Sequence, residues 1–411
     1  MSRFDHYFLM NVDDIVEYTM DKLPELGWDR ASVRAREIGD GNLNYVFRVW
    51  DARGHSVIIK HAGEALRISA EMRVSTDRNR IESEILLLED RYAPGMVPRV
   101  YFYDTVMCAC GMEDLSDHEL MRYALMKHEI FPLFADDIST FMVNTLLMSS
   151  DVVMEHKAKK ALVKNFISPE LCEITENLVL MEPYNDIYQE NHVFPPNAEF
   201  VKKELYEDEA LHLEVAKLKF KFMTDAQALM HGDLHTGSIF VRPDSTRVFD
   251  PEFATYAPMG YDIGNVVANM IFAYDNGFAT GDSAFCSWCL DTIEQMMDMF
   301  VEKFTRKFDK AATEPMAKVR GFREWYLGDI LNDTAGYAGT ELHRRTVGMA
   351  NVKDVTTIRD EDMRAWVERI NILCGKEYIL NQSKFRTGAD FVDAVRRATT
   401  AAKQTAKEIC V

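Results

Sequence analysis

The hydrophobic period of this chain changes once, and that change narrows the folds open to it. Up to about Met112, β-rich runs alternate with amphipathic helices; from Ser116 onward helical spacing dominates. Ile15, Val16, Met20 and Leu23 predict a helix over Asp13–Leu26. Tyr45–Trp50 and Ser56–Lys60 flank Asp51-Ala-Arg-Gly54, a hairpin signature. Arg78–Tyr92 reads as a helix through Ile81, Ile85, Leu86 and Leu88, and Val100–Met112 returns to strand, interrupted at Asp104. Beyond Ser116 only Ile239–Val241 and Arg247–Phe249 read as strand. The fold class is therefore α+β, with a small β-rich first part and a large, mainly helical second part. The boundary falls at Glu113–Ser116, giving domains 1–115 and 116–411.

A chain of 411 residues fits two or three packed units at about 100–200 residues each. Acidic side chains number 66 against 47 basic, a net charge of −19. That balance argues against nucleic acid as a partner, because phosphate neutralisation needs a basic stripe. No stretch approaches the roughly 18 apolar residues of a membrane span. Met1–Tyr7 shows no basic region leading into an apolar one. Seven cysteines without framework spacing fit a reducing, cytoplasmic setting. Cys286-Ser-Trp-Cys289 has redox or zinc spacing but sits in a helical pattern, and Cys108-Ala-Cys110 sits in a strand-like run. Both pairs read as small buried hydrophobes.

Four segments carry chemistry. Gly39-Asp-Gly-Asn-Leu-Asn44 precedes a β run and suits a turn whose backbone N–H groups approach phosphates. Lys60 ends an apolar strand, where an ammonium paired with a helix carboxylate can hold nucleotide phosphates. Glu82 is the first choice of partner and Glu84 the alternative. His231-Gly-Asp-Leu-His-Thr-Gly-Ser238 sets Asp233 among a glycine and two histidines just before a β run. A carboxylate placed so can align or deprotonate a substrate hydroxyl. Asp250-Pro-Glu252 follows a short strand. On extended backbone its two carboxylates would share a face and reach one Mg²⁺, which would offset their repulsion. In this order the parts point to an ATP-dependent phosphotransferase.

The same residues resemble the 5-methylthioribose kinase family, small-molecule kinases distantly similar to protein kinases and aminoglycoside phosphotransferases. The resemblance rests on Ile38–Asn44, Met112-Glu-Asp-Leu-Ser-Asp-His118, Phe166–Glu176, His231–Ser238 and Glu341-Leu-His-Arg-Arg-Thr-Val-Gly348. It implies a two-lobed protein-kinase-like fold that phosphorylates the anomeric hydroxyl of S-methyl-5-thioribose, a step of methionine salvage. By this resemblance Asn44 and Lys60 contact ATP, and Glu113, Asp114 and Leu115 bind adenine through the backbone. Asp250, Pro251 and Glu252 lie at the Mg²⁺-nucleotide, with Asp250 and Glu252 as the metal pair. Asp233 meets the sugar, and Arg344 and Arg345 serve the substrate pocket, their guanidinium forks suited to ribose hydroxyls or to the moving phosphoryl group. The family implies a homodimer. Ser238 stands where wider kinase families carry a metal-binding asparagine, as in the methylthioribose kinases. The family's Glu-Ser-Trp-Pro stretch is replaced by Glu71-Met-Arg-Val-Ser75, so preference at the sugar's 5-position is where this chain would differ. The competing readings are a phosphotransferase for 5-deoxyribose, an aminoglycoside or a choline-type alcohol, and a nucleotide-binding pseudokinase.

Overall fold

The computed structural model describes residues 2–38, 44–63, 65–66, 69–73 and 75–407. The chain divides into two compact units. One comprises Met1–His118 with Arg247–Ala254, the other Glu119–Thr246 with Thr255–Val411. The break after His118 lies three residues beyond the expected 115/116 boundary. The first unit also reclaims a short segment from far along the chain, which a contiguous division does not provide for.

The first unit is built on a five-stranded sheet. Its strands are β1 (Arg34–Glu37), β2 (Tyr45–Trp50), β3 (Ser56–His61), β6 (Val100–Asp104) and β7 (Ala109–Glu113), in the order β1-β2-β3-β7-β6. Every pairing is antiparallel. A small hairpin, β4 (Ala65–Leu66) and β5 (Ser69–Arg73), intervenes before helix α2 (Arg78–Tyr92). Phe47 and Val49 of β2 and Val57 and Ile59 of β3 bury their side chains together with Ile15 and Tyr18 of helix α1 (Val12–Lys22).

Two expectations shift for physical reasons. Helix α1 stops at Lys22, not Leu26, and a 3₁₀ turn follows at Pro24–Leu26. The proline ring disfavours helical backbone at the residue before it, and Leu23 indeed leaves the helix at φ −126°, ψ 55°. The Val100–Met112 run is two strands joined by a turn. Asp104 caps that turn by accepting from the backbone N–H groups of Val106 (2.8 Å) and Met107 (3.1 Å). Cys108 therefore sits outside the strands, at φ 48°.

The second unit is mainly helical. It opens with β8 (Glu119–Leu120) and α3 (Met121–Met126), and its later helices include α4 (Gly260–Thr280), α5 (Ser283–Ala311), α6 (Phe322–Val347) and α7 (Glu361–Leu380). Strand β9 (Ala228–Met230) pairs antiparallel with β12 (Thr255–Ala257), and β10 (Ile239–Arg242) with β8. Strand β11 (Ser245–Val248) carries the chain into the segment that belongs to the first unit. Strands β8, β9 and β12 are too short to show a period in the sequence.

Helix α4 is buried along nearly its whole length, its polar residues Asp262, Asn265, Asn269 and Asp275 included. It packs on α6 backbone to backbone: a Cβ at Gly264 would lie 2.5 Å from the Ala338 nitrogen and 2.8 Å from the Thr334 oxygen. Cys286 and Cys289 lie within α5, and burial pushes both thiols up, Cys286 to about 11. They are packing residues, as expected. No helix among the described residues is long and apolar enough to cross a membrane.

Candidate functional site

The residues singled out for chemistry gather into two clusters, one in each unit. In the first unit Lys60, near the end of β3, is almost fully buried. Its ammonium donates to Glu82 Oε1 at 2.5 Å and also contacts Asp250 Oδ1. Glu84, the alternative partner, binds Arg80 at 2.8 Å instead. Asn79 of α2 steadies the strand end, donating to the carbonyls of Lys60 (3.1 Å) and Cys108 (3.0 Å).

Asp250 reaches Lys60 because Arg247–Ala254 is tied back onto this unit. Val248 N–H donates to the Met96 carbonyl (2.7 Å), and Arg247 donates to the Val97 carbonyl (2.9 Å). The expectation that Asp250-Pro-Glu252 is extended does not hold. Asp250 adopts φ 68°, the left-handed region that a non-glycine residue occupies only at a cost. The turn sends the two carboxylates to different partners. Asp250 meets Lys60, while Glu252 accepts from Asn44 Nδ2 at 3.0 Å. Asn44 in turn accepts from the buried guanidinium of Arg78 at 3.0 Å.

The cluster thus sets three carboxylates, Glu82, Asp250 and Glu252, against two cations, Lys60 and Arg78. Burial opposes the Lys60 charge, but Asp250, Glu82 and Glu252 hold its pKa above the usual lysine range. Burial pushes Glu82 up to about 7, against the pull of Lys60. Burial and then the Asp250 charge push Glu252 well above the carboxylate range. Two cations leave the third carboxylate without a counter-charge, and burial pushes Glu252 toward its neutral form; a small divalent cation on these hard oxygen donors would favour its ionised form.

At the edge of this unit, Asp114 is held by Arg48 (2.5 Å) and caps the Ser116 N–H (2.9 Å). Glu113 accepts from Arg247 (3.4 Å) and from the Arg99 N–H (3.0 Å), and the Leu115 carbonyl accepts from His118 N–H (2.9 Å). Both acidic side chains here are engaged within the unit, and the Glu113 N–H donates to the Arg99 carbonyl at 2.8 Å. The glycine-bearing turn at 39–43 and Val74 lie outside the described residues, as do the side chains of Glu71, Met72 and Arg73.

In the second unit the loop after β9 carries Asp233. Gly232 takes φ 84°, a value glycine adopts freely. Asp262, in the first turn of α4, accepts from the N–H groups of His231 (2.7 Å) and Gly232 (2.9 Å). His235 accepts at Nδ1 from Gly237 N–H (3.0 Å). The neutral imidazole therefore carries its proton on Nε2, which stands 3.3 Å from Asp233 Oδ2. Ser238 Oγ is 3.3 Å from the same Nδ1 and is engaged there.

Arg345 approaches Asp233 Oδ1 at 3.7 Å. Buried Glu341 holds both arginines of α6, Arg345 at 2.8 Å and Arg344 at 3.1 Å. Of the pair, Arg345 is the one the structure brings to Asp233. Burial would raise the Asp233 carboxyl, yet His235, Arg345 and Arg344 hold it well below the usual range. Burial holds His235 below the usual histidine range, outweighing Asp233. The result is an ionised carboxylate, fixed in place, with one oxygen beside an imidazole and the other beside a guanidinium.

Residues 171–285 match the phosphotransferase enzyme family. A methylthioribose kinase of Bacillus cereus (strain 03BB102) is 38% identical over 356 residues, covering 86% of this chain and 89% of its own. A methylthioribose kinase of Bacillus thuringiensis (strain Al Hakam) matches equally, at 38% over the same share of each chain. The chain belongs to the methylthioribose kinase family. Among solved structures, choline kinase from Cryptosporidium parvum Iowa II aligns over 97% of this chain and 96% of its own at 10% identity, with a TM-score of 0.46.

Arg78, Arg122, Asp262, Glu341 and Asp354 were not foreseen as parts of this family member's clusters. Glu341 lies three and four residues before the two arginines, so helical spacing alone pairs it with both. The other four carry no local signal. Each is a charged residue on a helix, a pattern that usually marks a solvated face.

Proposed function

We propose that the chain transfers the γ-phosphoryl group of ATP to the anomeric hydroxyl of S-methyl-5-thioribose, giving S-methyl-5-thioribose 1-phosphate in methionine salvage. The observation that carries this reading is Asp233, ionised and oriented by His235 beside Arg345, in a chain 38% identical to methylthioribose kinases over most of its length. Asp233 would accept a hydrogen bond from the sugar O1–H and so aim an O1 lone pair at phosphorus. Transfer forms the O1–P bond, breaks the bond from Pγ to the oxygen that leaves with ADP, and passes the O1 proton to Asp233. In a loose transition state that proton moves late, so a weakly basic carboxylate is adequate.

Arg345 would counter charge on the moving group. Lys60, positioned by Glu82, would bind the α- and β-phosphates. Asn44 would reach the nucleotide, and the backbone of Glu113, Asp114 and Leu115 would take adenine. Asp250 and Glu252, with Pro251 between them, would hold Mg²⁺, which neutralises phosphate charge when bound. Their oxygen donors, and the carboxylate that Lys60 and Arg78 leave without a counter-charge, support that role. The family resemblance further implies a homodimer in the cytoplasm.

The test is coupled ADP release with methylthioribose, 5-deoxyribose, ribose, choline and kanamycin. Methylthioribose is expected to turn over fastest, with ribose poorer by roughly 10–200-fold in kcat/KM, the range one or two buried apolar groups provide. Release with choline or kanamycin alone would overturn the sugar assignment, and no release with any acceptor would favour a pseudokinase.

A further inference from the structure

The second unit contains a third arginine that the mechanism above leaves unused. Arg122 lies on the short helix α3, and its side chain is 17% exposed. Arg344 and Arg345 are both hydrogen-bonded to Glu341. Arg344 leaves one buried nitrogen, Nε, without a hydrogen-bond partner, whereas Arg122 leaves two, Nε and Nη2, and no carboxylate holds it. Its nearest acid is Asp354, with Oδ2 3.9 Å from Nε, too far for a hydrogen bond and itself without a partner. A buried cation with unmade hydrogen bonds is costly to maintain, so a purely structural role leaves its position unexplained.

The surroundings of Arg122 supply an explanation. A Cβ at Gly237 would lie 3.0 Å from Cζ and from Nη1 of Arg122, and 2.8 Å from Cε1 of His235. Arg122 therefore sits against the loop whose His235 Nε2 faces Asp233. A Cβ at 237 would press on both the guanidinium and the His235 ring. Asp233 with Arg345 beside it, and Arg344 behind on Glu341, would suffice to orient a neutral sugar hydroxyl. A third arginine, with free donors in a fork geometry, matches an anion with several oxygens.

We propose that Arg122 is a ligand-binding residue of the acceptor side, donating to the phosphate oxygens of the phosphorylated sugar. This rests on the functional reading above and extends it. Asp233 would receive the hydroxyl before transfer, and Arg122 together with Arg345 would hold the phosphate that the hydroxyl becomes. Gly237 is the positioning residue that admits the guanidinium.

The experiment compares wild type, Arg122→Gln and Arg122→Lys. Methylthioribose 1-phosphate and MgADP are titrated separately by calorimetry, methylthioribose kinetics are measured, and each melting temperature is recorded. The glutamine variant should bind the sugar 1-phosphate about 10–100-fold more weakly, the range of hydrogen bonds to charged groups. MgADP affinity and melting temperature should be unchanged. The lysine variant, which keeps a point charge but loses the fork, should fall between it and wild type.

Wild-type affinity for the sugar 1-phosphate in the glutamine variant would overturn the proposal. So would equal losses in both variants accompanied by a lower melting temperature, because that marks a structural pair with Asp354. If wild type fails to phosphorylate methylthioribose, the functional reading falls instead. Titration of inorganic phosphate into wild type and Arg122→Gln then decides Arg122 separately: weaker binding in the variant supports it, and equal binding refutes it.

Discussion

Asp233 has four features that together define its chemistry: a glycine-relaxed loop, a backbone anchor at Asp262, an imidazole at one oxygen and a guanidinium at the other. Replacing it by asparagine keeps the shape and removes the charge. Asp233→Asn should lower kcat by about 10²–10⁴-fold with the KM for ATP little changed, read by steady-state kinetics in both substrates. Near wild-type turnover would remove the carboxylate from the reaction. The pH dependence has a definite sign. Asp233 is held below its ordinary pKa and stays ionised as pH falls, while His235 is held below its own and stays neutral. Neither group should give an acid limb in kcat/KM for the sugar between about pH 6 and 8. A limb in that range that disappears in His235→Asn would show the imidazole titrating in the reaction. In the other cluster, Asp250→Ala should weaken Mg²⁺-dependent ATP binding more than Glu252→Ala, because Asp250 alone of the two contacts Lys60. Calorimetric titration of MgATP into each variant checks the order, and unchanged binding in both would remove the pair as the metal site. Lys60, Asp233 and the Asp250/Glu252 pair were legible because each sits in a short pattern with its own chemistry. Arg78, Arg122 and Asp262 were not, since what distinguishes them is burial, and burial is decided by elements distant in sequence.

The elements matter to the site through what they hold still. Helix α4 anchors the Asp233 loop through Asp262 and, about two turns further on, through Asn269, which accepts from the Thr236 hydroxyl at 3.2 Å. Helix α6 carries Glu341, Arg344 and Arg345. The two helices touch at Gly264 with no room for a methyl group. Gly264→Ala should therefore separate them, costing about 1–3 kcal/mol in stability and lowering kcat with it, as measured by chemical denaturation and sugar kinetics. A wild-type denaturation midpoint would mean the helices accommodate the methyl group. Helices α1 and α2 and strands β2 and β3 could be read from apolar spacing because each is long enough to show its period. The turn at Asp250 could not. Nothing in Arg247–Phe249 announces a left-handed residue next, and the side-chain alternation assumed for extended backbone fails at that point.

The whole molecule shows why a linear reading of domains is incomplete. Hydrophobic period located the change from mixed to helical structure within a few residues. It had no means of showing that eight residues, Arg247–Ala254, return to the first unit and bring Asp250 and Glu252 with them. That return explains how residues from distant stretches of sequence form one cluster around Lys60. The net charge of −19 makes local cations decisive for an anionic substrate, since exposed charges are screened beyond about 8 Å at physiological salt. The central claim is that phosphorus is delivered to the anomeric oxygen of methylthioribose under the direction of Asp233. The most direct measurement is phosphorus–carbon coupling by NMR in the product made from ATP and methylthioribose labelled with ¹³C at C1, with wild type and Asp233→Asn side by side. The expected result is coupling at C1 in the wild-type product and almost no product from the variant. Phosphate on another carbon, or equal product from the variant, would contradict the account.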